Sequence, residues 1–591
     1  MGRLTTLAGE RPFLMFVMKK LRWQLLIVVI ALVAIGVLLL SQQQSTVLPG
    51  IGNVQPTPQP VKGGSYSEAL IGSFGRLNPL LDQYNSVDRD VDRLLFSGLM
   101  RFDDRGTPHA DLADSWGVSQ DGSVYNFSIR PNAVWHDGKP VTSDDVIFTI
   151  DLMRNEQVPV PTDLRDFWKQ VTVTKLNDQL LQFTLPEAFS PFLDYLTFGV
   201  LPKHLLGALP PDQLVSAPFN LNPVGTGPYR FDHLLTEGGQ IKGVALTAFK
   251  DYFGNPAYID KVTFKYFPDS ASALEAYKQQ EVMGVSQIAP AVLEDAFTTP
   301  GLNTYTSRLP RLGLVYLNLT NPDTPFFKDA SIRRALMMGI NRQRIVDRLF
   351  DGQAILADGP ILPGSWAYYD GIEHIDYNPE AALATFKKAG YTIPASGGDI
   401  RSKDGTAFAF EMVYPDQDPY KAVAEQIQKD WEQLGIKVTL KAVPYDKLLS
   451  DYLEPRSYQA ALVDLNMTNS NDPDPYPFWH QAQITNGQNY SGWDDRQASE
   501  YLEQARVLVD PSERLKRYRN FQVRFTTEMP ALPLFYSVYT YGVDNQVQGV
   551  GTGPLVDPSD RFMNIPFWNL LARRPIQAAP APPAATITPT P

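Results

Sequence analysis

The sequence predicts an α/β protein with more than one lobe, and three observations predict it. The chain has 591 residues, more than one hydrophobic core can serve, since domains settle at roughly 100–200 residues. Its later half contains a strand, a helix and a strand in succession, the crossover that yields parallel pairing. Its earlier half carries alternating apolar runs joined by turn residues, which reads as a β-rich stretch.

Taken in order, Ser65–Leu70 predicts a first strand, and Ser86–Leu99 a helix in which Val87, Val91, Leu94, Leu95 and Leu99 recur near helical spacing. Tyr125, Phe127 and Ile129 alternate with polar residues as in a half-buried strand. Thr142 and Asp145 have the spacing of a capping box and start a helix through Ile150. Val171–Thr174 and Leu181–Leu185 flank Asn177–Asp178 and predict a hairpin. Ser331–Gly339 and Gln343–Phe350 read as short helices parted at Asn341, and Asn378–Pro379 caps a helix that stops at Gly390. Phe408, Phe410, Met412 and Tyr414 then alternate as a strand. Val423, Ile427, Trp431 and Leu434 share one helical face ended by Gly435, and Ile436, Val438 and Leu440 form the next strand.

Composition excludes several functions. Hydrophobic residues make up 43% of the chain, an ordinary globular level, and the net charge of −12 repels phosphate backbones, so no nucleic-acid partner is expected. There is no Cys, which removes disulfides, thiolate nucleophiles, Cys-ligated zinc and a lipid anchor on an N-terminal Cys. The six His are scattered and form no HExxH; no metal and no cofactor is expected.

The N-terminus predicts where the body resides. Arg3, Arg11, Lys19, Lys20 and Arg22 form a basic stub, residues 1–22, before the uncharged run at 23–41. Its stretch LLIVVIALVAIGVLLL reaches ~24 Å as a helix, close to a bilayer core of ~30 Å. The basic flank stays cytoplasmic and sends the rest outside. A cleaved signal peptide is the alternative, with the same consequence for the body. Residues 42–64 read as a Pro/Gly/Gln/Ser linker, and 572–591 as a disordered Pro/Ala-rich tail.

Several stretches, in order, resemble the extracellular solute-binding proteins of family 5, the peptide and nickel class that serves ABC importers. They are "LADSW", "DGSVYNFSIR" and "WHDGKPVTSDDV" in the early half, then NPVGTGPYRF (Asn222–Phe231) and DASIRRALMMGINRQRIVDRLFDGQA (Asp329–Ala354). YNPEAALATFKKAGY, AEQIQKDWEQLGIKVTL and NDPDPYPFWH complete the set. Each piece also has a structural reading: Asp137–Gly138 and Gly225–Pro228 are turns, and Arg333 and Arg334 read as surface or interlobe ion-pair residues ahead of ligand clamps.

The resemblance implies a bilobed fold of the type II periplasmic-binding-protein kind, two α/β lobes plus an inserted β-rich subdomain. Lobe I would comprise residues 65–99, 222–308 and 537–571, the insert 100–221 and lobe II 309–536. Two strands crossing between the lobes would form the hinge, and closing would bury the ligand. It implies a monomer that captures a small polar solute, an oligopeptide or alternatively an oligosaccharide, and delivers it to ABC permease subunits.

For the site, the resemblance points to Tyr84, Asn85 and Ser86 on the first lobe. On the second it points to the segment ending in Asp472–Pro473–Asp474. Peptide-binding members commonly place an Asp three residues before that segment to meet the ligand's ammonium; here the residue is Asn469. Asn carries no charge to offset a buried cation, so Asp472 or Asp464 would have to substitute. Asn466 and Asn469 suit hydroxyl- or amide-rich ligands, and the same run also reads as a turn built on Asx hydrogen bonds. Trp493 stacks on ligand or fills a core. Two other functions stay open: a hydrolase using Asp472 and Asp474 as an acid/base pair, and a sensory receptor domain signalling through the anchor.

Overall fold

The computed structural model describes residues 62–571 apart from 396, 468, 469 and 552. The expected anchor at 23–41, its stub, most of the linker and the tail at 572–591 lie outside the described residues. Among the described residues no helix is long and apolar enough to cross a membrane.

Strand β1 (Ser65–Ile71) sends Tyr66 and Leu70 into one core and Ala69 into another, the period-two alternation of a strand buried on both faces. A loop leads to α1 (Ser86–Leu95), whose first turn Asn85 caps by accepting from the Val87 amide at 3.2 Å. The apolar spacing predicts this helix through Leu99; it ends four residues earlier. The Ser97 amide donates to Thr226 Oγ1 at 3.1 Å, and Gly98 lies where a Cβ would come 2.7 Å from the Thr197 carbonyl oxygen. A tertiary contact has taken the donor that another helical turn needs.

The insert is a separate antiparallel sheet. Strands β2 (Ala113–Val118), β3 (Val124–Ile129), β4 (Thr172–Lys175) and β5 (Leu180–Thr184) stand in the order β2-β3-β5-β4. The β4–β5 pair is the expected hairpin. Helix α2 (Ser143–Arg154) begins at the expected box, with the Thr142 amide donating to Asp145 Oδ2 at 2.9 Å. Tyr125, Phe127 and Ile129 face a core shared with Phe183, Phe192 and Trp168 of α3 (Thr162–Gln170).

The chain then returns through β6 (Tyr229–Glu237), β7 (Gln240–Ala248), β8 (Lys261–Phe267), α4 (Ser270–Lys278) and β9 (Gly284–Val285). The long strand β10 (Leu302–Leu317) carries it into the second lobe. There follow α5 (Ala330–Met338), α6 (Arg342–Leu349), β11 (Ala354–Leu356) and α7 (Pro379–Lys388). Next come β12 (Ala409–Pro415), α8 (Tyr420–Glu432), β13 (Lys437–Val443) and β14 (Ala460–Asn466). Helices α9 (Arg496–Val507) and α10 (Pro511–Glu528) lead into β15 (Ala531–Asp544), which crosses back.

One sheet runs through both lobes in the order β13-β12-β14-β10-β15-β9-β1-β8-β7-β6, with β11 beside β15. The predicted crossover is present: β12 and β13 are parallel, with α8 between them in the chain. Val423, Ile427 and Trp431 are fully buried on its inner face, each worth about 1.5–3 kcal/mol of burial. In β14, Ala460 and Leu462 face one core while Ala461, Val463 and Leu465 face the other. That explains its uninterrupted apolar sequence. Arg333 is 3% exposed, not a surface residue. Its Nε donates to the Met529 carbonyl at 2.9 Å and its Nη1 to that of Phe327 at 2.7 Å, tying α5 to the end of α10 within the second lobe.

Candidate functional site

Strand directions locate the site. In the second lobe β12 runs parallel to β13 and to β14, and β14 is antiparallel to β10. Because β10 runs away from the first lobe, the carboxyl ends of β12, β13 and β14 point toward it. In the first lobe β1 is parallel to β8 and β9, and β9 is antiparallel to β15. Because β15 runs into the first lobe, the carboxyl ends of β1, β8 and β9 point toward the second. Two sets of strand ends therefore face each other across the β10–β15 ribbon, and open α/β sheets take their ligands at such ends.

The first-lobe edge is the loop from β1 to α1. Tyr84 is 91% exposed at its tip, and Ser86 is exposed in the first turn of α1. Asn85 is committed to the fold: besides capping α1, its Nδ2 donates to the Ser73 carbonyl at 3.1 Å and to Asp88 Oδ2 at 2.8 Å. Beneath the loop lies a buried carboxylate cluster. Arg561 Nη2 holds Glu68 at 2.8 Å and Nη1 holds Asp90 at 2.7 Å, and Arg89 holds Asp557 at 2.5 Å. Burial pushes Asp82 up to about 8 against the pull of Arg89. Burial, then the neighbouring Asp82, holds Asp92 well above the usual carboxylate range, and both its oxygens are buried without a hydrogen-bond partner.

The second-lobe edge is built on one ion pair. Arg311 on β10 reaches across the ladder, its Nε and Nη2 on Asp464 Oδ2 at 2.9 and 2.5 Å. Burial opposes the Arg311 charge, but Asp464 outweighs it and holds the guanidinium above its ordinary value. Asp464 Oδ1 is buried with no hydrogen-bond partner. Tyr420, raised by burial and then by the charge of Asp464, stands beside the pair, and Tyr445, 52% exposed, follows the end of β13. Asn466 is exposed at the end of β14, in register with Arg311.

The remaining expected residues have other surroundings. Asn469, with Thr468, lies outside the described residues. Asp472 is buried and spoken for: Arg514 Nη2 contacts it at 2.8 Å and the Tyr518 hydroxyl donates to it at 3.2 Å. Asp474 is held by Arg506 at 2.7 Å. Each carboxylate has its own arginine, so the two do not form an acid/base pair. Trp493 is 4% exposed and packs against Phe525 with ring centroids 6.2 Å apart, filling a core. A hollow of about 410 Å³ lined by Tyr277, Met283, Asp544 and Leu571 belongs to the far side of the first lobe and shares none of these residues. Sequence reasoning missed Arg311, Tyr420 and Tyr445 as neighbours of Asp464; the signal lay in a contact 153 residues apart, which no local pattern carries.

Comparison with known proteins agrees with this geometry. The family model described as bacterial extracellular solute-binding proteins, family 5, matches residues 107–489. The chain is 27% identical over 523 residues to the oligopeptide-binding protein AppA of Bacillus subtilis, spanning 86% of this chain and 92% of that one. It is 27% identical over 476 residues to the dipeptide-binding protein of Escherichia coli, spanning 75% of this chain and 84% of that one. The solved structure of AppA from Bacillus subtilis in complex with a nonapeptide matches at a TM-score of 0.63 and 25% identity, covering 87% of this chain and 100% of that one. Facing strand ends across a two-strand ribbon, ion-paired acids and the family match converge: the chain belongs to the bacterial extracellular solute-binding proteins, family 5, and is a binding protein rather than an enzyme.

Proposed function

We propose that this chain captures an oligopeptide-like solute between its lobes outside the cytoplasm and delivers it to the permease subunits of an ABC importer. The observation that carries this reading is the opposition of two sets of parallel-strand carboxyl ends across β10 and β15. The oligopeptide class follows the relatives named above; an oligosaccharide or another polar solute is the alternative. The lobes divide as the sequence suggests, with lobe I at 65–99, 222–308 and 537–571, the insert at 100–221 and lobe II at 309–536. The chain acts as a monomer tethered by residues 23–41.

The proposed contacts are Tyr84 and Ser86 from lobe I, and Asn466, Asn469, Arg311 and Tyr445 from lobe II. Asn85, Asp472 and Trp493 support these loops from behind. Arg311 supplies donors to ligand carbonyls, with Asp464 behind it holding the guanidinium in place. The test is thermal denaturation of the purified chain with a panel of di- to nonapeptides and oligosaccharides. A solute that binds only the folded state raises the melting temperature by mass action. A shift with at least one peptide, without turnover, is expected; no shift across the panel together with measurable hydrolysis would overturn the reading.

A further inference from the structure

A turn of the inserted subdomain, residues 135–138, carries a histidine with both ring nitrogens committed. The Gly225 amide donates to His136 Nδ1 at 3.1 Å, so that nitrogen must keep its lone pair. His136 Nε2 lies 3.1 Å from the Gly227 carbonyl oxygen, so it must carry the hydrogen. Only the neutral ring makes both bonds. The His136 amide adds a third, to the Gly225 carbonyl at 2.9 Å, and the ring meets Phe249 in a T-shaped contact with centroids 4.8 Å apart. These bonds hold the segment by which the chain returns to lobe I. Its Gly227 amide donates to the carbonyl of Leu95, the last residue of α1, at 2.8 Å. A Cβ on Gly225 would come 1.8 Å from the Leu95 carbonyl oxygen, and one on Gly227 2.2 Å from that of Leu94, so only glycine lets the segment lie against α1. The subdomain also bonds lobe II: Ser190 Oγ donates to the Leu508 carbonyl, and the Trp366 amide donates to the Arg105 carbonyl at 3.0 Å. It is a second bridge between the lobes beside the β10–β15 ribbon, and His136 stands at its footing on lobe I.

We propose that His136 is an acid-sensitive joint: its neutral ring fastens the inserted subdomain to lobe I, and a proton on Nδ1 unfastens it by setting two donors face to face. Burial pushes the ring down to about 4; its bond to the Gly227 carbonyl pulls it up, the charge of Arg230 on β6 pushes it down and Asp137 beside it pulls it up. Asp137 is in turn bound by His204 at 2.8 Å. From α1 the carbonyls of Leu94 and Leu95 face this contact, and from the segment after β7 the Phe249 ring. Freed into water, the histidine titrates near 6.5. The fastened form therefore binds the proton less tightly than the freed one. Fastening is complete above pH ~6.5 and weakens as pH falls toward ~4, by up to ~300-fold for the difference between those two values.

The test uses the full chain, whose lack of cysteine leaves introduced labels unique. Asp166→Cys on the insert and Glu294→Cys on lobe I place spin labels at exposed positions. Label distances, titration of the His136 ring by NMR and protection of the Gly225 amide from exchange, corrected for its intrinsic rate, are followed from pH 4.5 to 7.5. In the parent the ring should be half protonated below pH 5. Its Gly225 protection should fall tenfold or more between pH 6.5 and pH 4.5, and the label distances should broaden over the same range. His136→Gln, which donates and accepts without titrating, should flatten the protection profile. His136→Phe, which keeps the contact with Phe249 and loses both ring bonds, should show low protection at every pH. A parent ring that titrates near pH 6.5 with Gly225 still protected overturns the joint, whether or not the variants fold, and so does a parent-like profile in His136→Gln. All of this is read without solute, so the peptide panel decides the capture reading separately.

Discussion

The two edges that face each other are built on opposite electrostatic plans. Below the lobe I loop, Glu68, Asp82, Asp88, Asp90 and Asp92 are all buried, and the arginines reaching them leave acids in excess. At the lobe II edge the pairing is one to one: Arg311 with Asp464, Arg506 with Asp474, Arg514 with Asp472. The difference teaches where protons matter. Lobe II holds its loops with one arginine per acid, whereas in lobe I burial raises Asp82 to about 8 and holds Asp92 well above the usual carboxylate range.

The largest expected effect comes from removing the shared arginine of lobe I. Arg561→Met strands both Glu68 and Asp90 in the core and should cost about 3–5 kcal/mol in urea denaturation. The matching change in lobe II, Arg514→Met, leaves Asp472 the Tyr518 hydroxyl and should cost about 2–3 kcal/mol. Equal losses would erase the contrast.

A smaller effect tests the proton itself. The folded value of Asp82 is raised above its unfolded one, so its contribution to stability is complete below pH ~4 and is lost as pH rises through about 8. Asp82→Asn should flatten that fall, gaining on the parent between pH 5 and pH 8 by a few kcal/mol at most. A variant whose stability tracks the parent across this range would show that Asp82 is ionised in the fold.

The smallest change in stability separates binding from folding. Tyr84, at 91% exposure, contributes little packing, so Tyr84→Ala should shift unfolding by less than ~0.5 kcal/mol. The same variant should weaken peptide binding about tenfold by calorimetry, if lobe I meets the solute there. Unchanged affinity would remove Tyr84 from the contacts.

Much of the scaffold was legible because it rests on local rules. Thr142 with Asp145, Asn378 with Pro379, and the Val423–Ile427–Trp431 stripe each declare an element within a few residues, and each stands where expected. Residues of the site were harder to read. The run DRDVDR in α1 looks like a solvated face, yet Asp88, Asp90 and Asp92 are buried, because Arg561 arrives from 471 residues away to hold Asp90. Asp472 looked free for a ligand because Arg514 and Tyr518 lie on α10, beyond any local window. Asn85 was readable as a cap, since it directly precedes a helical apolar period; the resemblance drew it into the site first.

The β10–β15 ribbon constrains how the molecule can move. Its strands bond to each other from Leu302 with Asp544 to Tyr316 with Ala531, with breaks in register at Arg308/Leu312 and at Gly313/Leu314. Sliding one strand along the other by a residue would turn every side chain to the wrong face, so shear is blocked, while flexing at an irregular register disturbs few ladder bonds. Travel is thereby reduced to a swing about one axis, and whatever docks on both lobes at once reads a single angle to know whether the vessel is full.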